Sequence, residues 1–204
     1  MDPALLHKAR RHLSRDAVLK PLIRNIGPCT LQINGDHFEI LVRSIVSQQI
    51  SGKAAAAISE RLRKTVKRFR PKNILAASDA DLRAAGLSGG KQKSLRDLAA
   101  KCEEGLIPLK ALREMEDADI ITALTQVHGI GPWTAEMFLI FSLGRTDILP
   151  VGDYGLRAGV QKHYQLADLP KKQELIELTA GWKPFRSIGT WYIWRSLGGV
   201  PQSG

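Results

Sequence analysis

Apolar residues along this chain recur at intervals of three and four far more often than at every second position, which predicts helices almost throughout. Leu6, Ala9 and Leu13 form the first such stripe. The stretch PCTLQINGDH carries β-branched residues and the Asn34-Gly35 pair, so a short extended piece or turn is predicted only there. From Phe38 the run FEILVRSIVSQQIS predicts a mostly buried helix, and Ser51 then suits the N-cap of a second helix through AAAAISERLRKTV. Ser78 is placed to cap another, with Asp79 and Asp81 complementing its dipole and Gly86 ending it. The loop Gly86-Leu87-Ser88-Gly89-Gly90 leads into KQKSLRDLAAKC, and its adjacent glycines allow either a close backbone approach to a ligand or a plain tight turn. Ile120, Ala123, Leu124 and Val127 mark one buried helical face. Gly129-Ile130-Gly131 then predicts a tight hairpin, Pro132 the first position of the next helix, MFLIF its buried body and Gly144 its C-terminal cap. The fold class expected is all-α.

Composition narrows the partners. Over 204 residues, Lys and Arg number 30 against 20 Asp and Glu, a net charge of +10 that favours a polyanion such as nucleic acid. Apolar residues at 44% and charged residues at 25% describe an ordinary globular chain. The start MDPALLHKAR has no long apolar core before a small-residue cleavage site, and no run of about 18 apolar residues occurs. No membrane association is therefore expected, and the compartment expected is the cytosol (beside the nucleoid in a bacterium) or the nucleus in a eukaryote. Cys29 and Cys102 are too few for a zinc site or a four-cysteine iron–sulfur cluster unless other ligands substitute; two inert thiols are expected.

Two features carry candidate chemistry. Helices joined by a Gly-x-Gly hairpin present backbone N–H groups at a helix N-terminus, a phosphate site that ignores base identity, although such a hairpin also ends ordinary helices. The run Arg61, Arg63, Lys64, Lys67, Arg68, Arg70 and Lys72, broken by Pro71, reads first as a solvated helix face and second as a phosphate patch. In the C-terminal stretch Phe185, Ile188 and Tyr192 fit one apolar face of a helix starting near Lys183-Pro184, leaving Trp191 and Trp194 to line a pocket.

The hairpin, with LVRSIVSQQIS (Leu41 to Ser51), LRAAGLSGGKQKSLRDLA (Leu82 to Ala99) and GWKPFRSIGTWYIW (Gly181 to Trp194), resembles the helix-hairpin-helix superfamily of DNA glycosylases, within it the 3-methyladenine DNA glycosylase II group. The resemblance implies a monofunctional enzyme of base excision repair that flips an alkylated purine, such as 3-methyladenine or 7-methylguanine, out of double-stranded DNA and hydrolyses its N-glycosidic bond. It implies that Asp153 is the catalytic carboxylate. Asp153 precedes YGLRAGVQKHY and so stands at the mouth of a new helix, where the dipole favours an anion. An anion near the sugar stabilises the positive charge that builds as the base leaves, and can orient the attacking water. Without the resemblance, Asp153 reads as a simple N-cap.

The resemblance further places Trp133, Trp194, Met137 and Tyr154 around the base, where electron-rich rings suit a cationic purine. DNA contacts are implied at Gly129, Ile130, Gly131, Trp133, Thr134, Ser88, Gly89, Lys91 and Gln48. The wedge that fills the hole left by the flipped base falls at Ser88 or Gly89, with Leu87 alternatively plain core. A monovalent cation, Na⁺ or K⁺, is implied on the backbone carbonyls of Thr125, Val127 and Ile130; no other cofactor is expected. Relatives that also nick DNA carry a lysine where this chain has Trp133, which cannot form a Schiff base, so no lyase step is expected. This sequence also departs from the pattern at Gly152, where many relatives have a second acid, at Met137 in place of a tyrosine, and at His128, often proline. His128 receives no role.

The lobes expected are residues 35–149, holding the hairpin, and 1–34 plus 150–204, carrying Asp153 and the pocket aromatics; hairpin and Asp153 are expected to meet at a cleft. No N-terminal β-domain and a monomer are expected. The competing readings are a non-catalytic hairpin protein that only holds DNA, a glycosylase for oxidised or deaminated bases, and a basic helical protein binding RNA or protein through its Arg/Lys run.

Overall fold

The computed structural model describes residues 1–200. Among the described residues every regular element is helical. The described chain divides into two compact units, one of residues 34–138 and the other of residues 1–33 with residues 139–200.

The second of these begins with α1 (Pro3–Leu13), capped by Asp2 and started by proline, and α2 (Leu19–Ile26). The Asn34-Gly35 region is irregular rather than a strand, with the Asn34 side-chain oxygen accepting the Asp36 N–H at 3.1 Å. The other unit contains α3 (His37–Ser47), α4 (Gly52–Val66), α5 (Pro71–Ala76), α6 (Asp79–Ala84), α7 (Gly89–Glu103), α8 (Asp117–Thr125) and α9 (Pro132–Phe138). Ser51 and Ser78 cap α4 and α6 as their sequence positions predict. Pro71 does not break a helix; α4 has already ended at Val66, and proline opens α5, where its missing N–H costs nothing.

From α9 the chain runs into a π turn at Leu139–Leu143 and stops at Gly144, whose φ is +72°. This π turn already belongs to the unit that holds α10 (Tyr154–Tyr164), α11 (Lys172–Leu178) and α12 (Arg186–Ser196). The change of unit after Phe138 precedes the expected boundary at Leu149, because the intervening segment is tied to α12. Arg186 forks onto Asp147 at 2.6 and 2.9 Å, and the Ser187 N–H bonds the Thr146 carbonyl at 2.9 Å. The expected lobe ended at Gly204; residues 201–204 lie outside the described residues.

Helix α12 differs from its sequence reading in two ways. It starts at Arg186, after the cis Lys183-Pro184 peptide, and all its residues from Ser187 to Trp194 are buried, Trp191 included. A helix enclosed on every side has no amphipathic stripe, which is why face-counting misassigned Trp191. Its neighbour α10 approaches at Gly159, where a Cβ would fall 2.2 Å from Ile193 Cγ2. One carboxylate also ties this unit together. Asp16 Oδ1 accepts the Val18 and Leu19 N–H groups at the start of α2, and its Oδ2 accepts from Tyr164 OH at 2.8 Å and Trp182 Nε1 at 3.1 Å. Burial, then the Asp16 charge, pushes the Tyr164 phenol above its usual range.

Burial raises the Cys29 thiol to about 11 and the Cys102 thiol to about 12, so neither is a ready thiolate. No helix among the described residues is long and apolar enough to cross a membrane.

Candidate functional site

Asp153 ends an irregular stretch and opens α10. Its backbone is extended (φ −73°, ψ 119°), so its side chain turns back onto the first helical turn and Oδ1 accepts the Leu156 N–H at 2.5 Å. The same oxygen accepts Nε1–H of Trp194, from α12, at 2.9 Å. Asp153 is only 7% exposed, and its carboxylate is set by a backbone donor from one helix and an indole donor from another. Gly155 makes room for this arrangement. A Cβ there would lie 3.2 Å from Asp153 Oδ1 and 3.5 Å from Trp194 Cδ1. Trp194 is enclosed at 2% exposure and stacks on Phe141, with ring centres 6.1 Å apart and planes inclined by 19°. The sequence reading placed Trp194 around the base; the structure gives its N–H a carboxylate partner and one ring face an aromatic neighbour. Tyr154, next in sequence, is 73% exposed.

In the unit of residues 34–138, the hairpin between α8 and α9 is built on Gly129. Its φ of +79° suits glycine, and a Cβ would sit 2.6 Å from Ser94 Oγ. Ile130 is buried and its N–H bonds the Val127 carbonyl at 3.0 Å, while Gly131 and Pro132 are exposed at the start of α9. Three side chains reach the hairpin from outside it. Gln48 donates Nε2–H to the Gly129 carbonyl at 2.9 Å, Asp97 Oδ2 accepts the His128 N–H at 2.7 Å, and Ser94 Oγ meets His128 Nδ1 at 3.1 Å. Gln48, expected at the DNA, thus also braces the hairpin. Trp133 presents an exposed ring, whereas Thr134 and Met137 are buried on the inner side of α9.

The Gly86 to Lys91 loop is shorter than its sequence suggests. Ser88 caps α7, accepting the Lys91 N–H at 3.4 Å, so Gly89 and Gly90 already belong to the helix. Ser88 and Gly89 are exposed and Leu87 is core. Lys91 does not project from the loop. Its Nζ donates to the Val46 carbonyl at 2.6 Å, satisfying a carbonyl of the last turn of α3, and desolvation lowers its pKa.

The basic run is largely structural. Arg63 and Arg43 pair with Glu39, Arg70 with Asp36 and Lys64 with Glu60, while Arg61 bonds the Ala85 carbonyl. These pairings favour the first of its two sequence readings, since paired cations attract a phosphate less. The partners of Gln48, Lys91 and Trp194 were invisible in the sequence because each lies across a long chain separation. Besides its place before a helical stripe, the local signal that Asp153 meets a bulky partner was Gly155, a small residue two places beyond the acid.

A model of the HhH-GPD superfamily base excision DNA repair proteins matches residues 42–184. The chain is 35% identical to DNA-3-methyladenine glycosylase 1 of Schizosaccharomyces pombe over 94% of its own length and 87% of that protein's. Among solved structures, it is similar to an S. pombe 3-methyladenine DNA glycosylase in complex with abasic DNA (TM-score 0.81, 34% identity, 95% of this chain and 98% of that one). It is also similar to a DNA-3-methyladenine glycosidase from Bacillus halodurans (TM-score 0.84, 36% identity, 92% of this chain and 87% of that one).

Proposed function

The chain belongs to the HhH-GPD superfamily of base excision DNA repair proteins, and from that premise we propose that it is a monofunctional DNA glycosylase releasing alkylated purines such as 3-methyladenine and 7-methylguanine. The observation that carries the reading is the Asp153 carboxylate, buried and fixed by the Leu156 and Trp194 N–H groups. Merely holding DNA requires no such group. As the bond between N9 and C1′ of the lesion lengthens, its electrons leave with the base and positive charge builds on the sugar. A fixed carboxylate stabilises that charge without reorganising, and it accepts a proton from the water that attacks C1′. The products are a free base and an abasic site.

Alkylation at N3 or N7 leaves the purine cationic and its glycosidic bond already weak, so the protein's work is mainly to flip, hold and hydrolyse. In this reading the exposed ring of Trp133 offers a face for such a cation. Trp194, enclosed and bonded to Asp153, holds the carboxylate. Trp133 carries no amine, so water is the nucleophile and no Schiff base forms. At the Gly129-Ile130-Gly131 hairpin, where the Ile130 N–H is spent on the Val127 carbonyl, the glycine amides take a DNA phosphate without reading sequence. The carbonyls of Thr125, Val127 and Ile130 close the end of α8 and the hairpin; neutral oxygens of this kind suit a hard monovalent cation, which would supply positive charge beside that phosphate. The +10 charge of the chain supports a duplex DNA partner, and we assign a monomer.

The test is release of free base from duplexes carrying 7-methylguanine or 3-methyladenine, followed by borohydride treatment. Release with no trapped protein–DNA adduct supports the reading. Tight DNA binding without release of either base overturns the substrate class, and a robust adduct overturns the hydrolytic mechanism.

A further inference from the structure

Two glycines give a hairpin its shape but leave it free to open, and beside the Gln48 bond to the Gly129 carbonyl the restraint here comes from α7. Three contacts converge on the first hairpin residues. The Asp97 carboxylate accepts the His128 backbone N–H at 2.7 Å. The Ser94 hydroxyl donates to the Gly90 carbonyl at 3.0 Å, so its meeting with His128 at 3.1 Å has Nδ1–H as the donor. Gly129 then packs so closely on Ser94 Oγ that no Cβ fits between them. Asp97 is itself held by Lys101 Nζ at 2.5 Å, one turn further along α7.

This placement is electrostatically perverse for a protein that binds DNA. A carboxylate bonded to the residue that opens a phosphate-binding loop opposes the ligand, even with Lys101 offsetting part of its charge, and an apolar residue in its place would remove that opposition. Retaining it makes sense if its bond to the hairpin outweighs the repulsion. We propose that Asp97 is a positioning residue for DNA binding, latching the hairpin onto α7 through the His128 N–H so that the following amides stay set for a phosphate. The proposal rests on the DNA-binding reading above.

The sign of the effect separates this role from simple charge. Asp97→Asn removes the negative charge but keeps an oxygen to accept the His128 N–H. Asp97→Ala removes both. Charge alone makes both variants bind DNA more tightly than wild type; the latch makes Asp97→Ala weaker and leaves Asp97→Asn equal to or tighter than wild type. A hydrogen bond to a charged acceptor is worth about a factor of ten or more, and the Ala variant is expected to lose about tenfold in affinity.

The experiment has two arms. Amide hydrogen exchange of His128 and Gly129 in the free protein reads the latch without DNA; Asp97→Ala is expected to speed it about tenfold and Asp97→Asn, whose neutral oxygen still accepts the bond, to speed it far less. Fluorescence anisotropy with an unmodified duplex then reads affinity. Unchanged exchange in Asp97→Ala overturns the latch. Faster exchange with affinity equal to that of Asp97→Asn overturns its role in binding. A wild-type protein that fails to bind duplex DNA, with the exchange pattern as expected, overturns the functional reading and leaves the latch as a structural contact.

Discussion

Replacing Trp194 with phenylalanine isolates one bond. The ring that stacks on Phe141 is largely kept, while the indole N–H that reaches Asp153 Oδ1 at 2.9 Å is lost. In a site where Trp194 is 2% and Asp153 7% exposed, water does not readily replace that donor. Hydrogen bonds to charged groups contribute about 1.5–3 kcal/mol, which at about 1.4 kcal/mol per decade corresponds to roughly 10- to 150-fold in rate if the full bond acts in the transition state. The Leu156 N–H still holds Oδ1 at 2.5 Å, so the lower part of that range is expected. The assay is single-turnover release of 7-methylguanine at saturating enzyme, with thermal unfolding measured in parallel. A shrunken ring costs stability through its cavity, and that cost appears in the melting temperature. The lost donor appears in the chemical step. A variant that folds, binds DNA and excises within about twofold of wild type would refute the claim that Trp194 positions the carboxylate. Trp194→Ala is the poorer test, because it also empties the space beside Phe141.

Gly129→Ala forces an L-residue to φ +79° and drives its Cβ into Ser94 Oγ. A loss of about 1–3 kcal/mol is expected in urea unfolding, together with weaker duplex binding; an unchanged midpoint would show that the hairpin relaxes freely. Glu39 is paired with Arg63 and Arg43; burial alone raises its pKa, but the two guanidinium partners outweigh that and hold it below its ordinary 4.5. A carboxylate lowered on folding adds stability that is complete above pH 4.5 and is lost as pH falls through the lower folded value. Glu39→Gln should therefore flatten the acid side of a stability profile taken between roughly pH 3 and 6, and a profile parallel to wild type would exclude Glu39 from it.

The positions legible in the sequence were those where the local chain dictates its own geometry. Ser51, Ser78 and Asp153 each precede a helical stripe and each caps a helix. Gly129 marks the hairpin because few other residues tolerate its φ, Pro132 because proline suits a first helical position, and Gly144 ends its helix at positive φ. What the sequence hid was set by tertiary contact. Trp194 read as a pocket wall because nothing local says that its N–H meets an acid far back in the chain. Lys91 read as a cation for DNA because its carbonyl partner belongs to α3. The arginines of the basic run read first as solvated and second as a patch, and the acids that pair with them came into place only in the fold. His128 lacked any assigned role because its partners, Ser94 and Asp97, sit a turn apart on a separate helix.

The most direct test of the central claim is excision by Asp153→Asn under single-turnover conditions. Asparagine is as good an N-cap as aspartate, so α10 and the fold should survive, and duplex binding should persist. Loss of a preorganised charge at the reacting sugar is expected to slow base release by at least about 100-fold. Release at the wild-type rate would take Asp153 out of the chemistry and contradict the account.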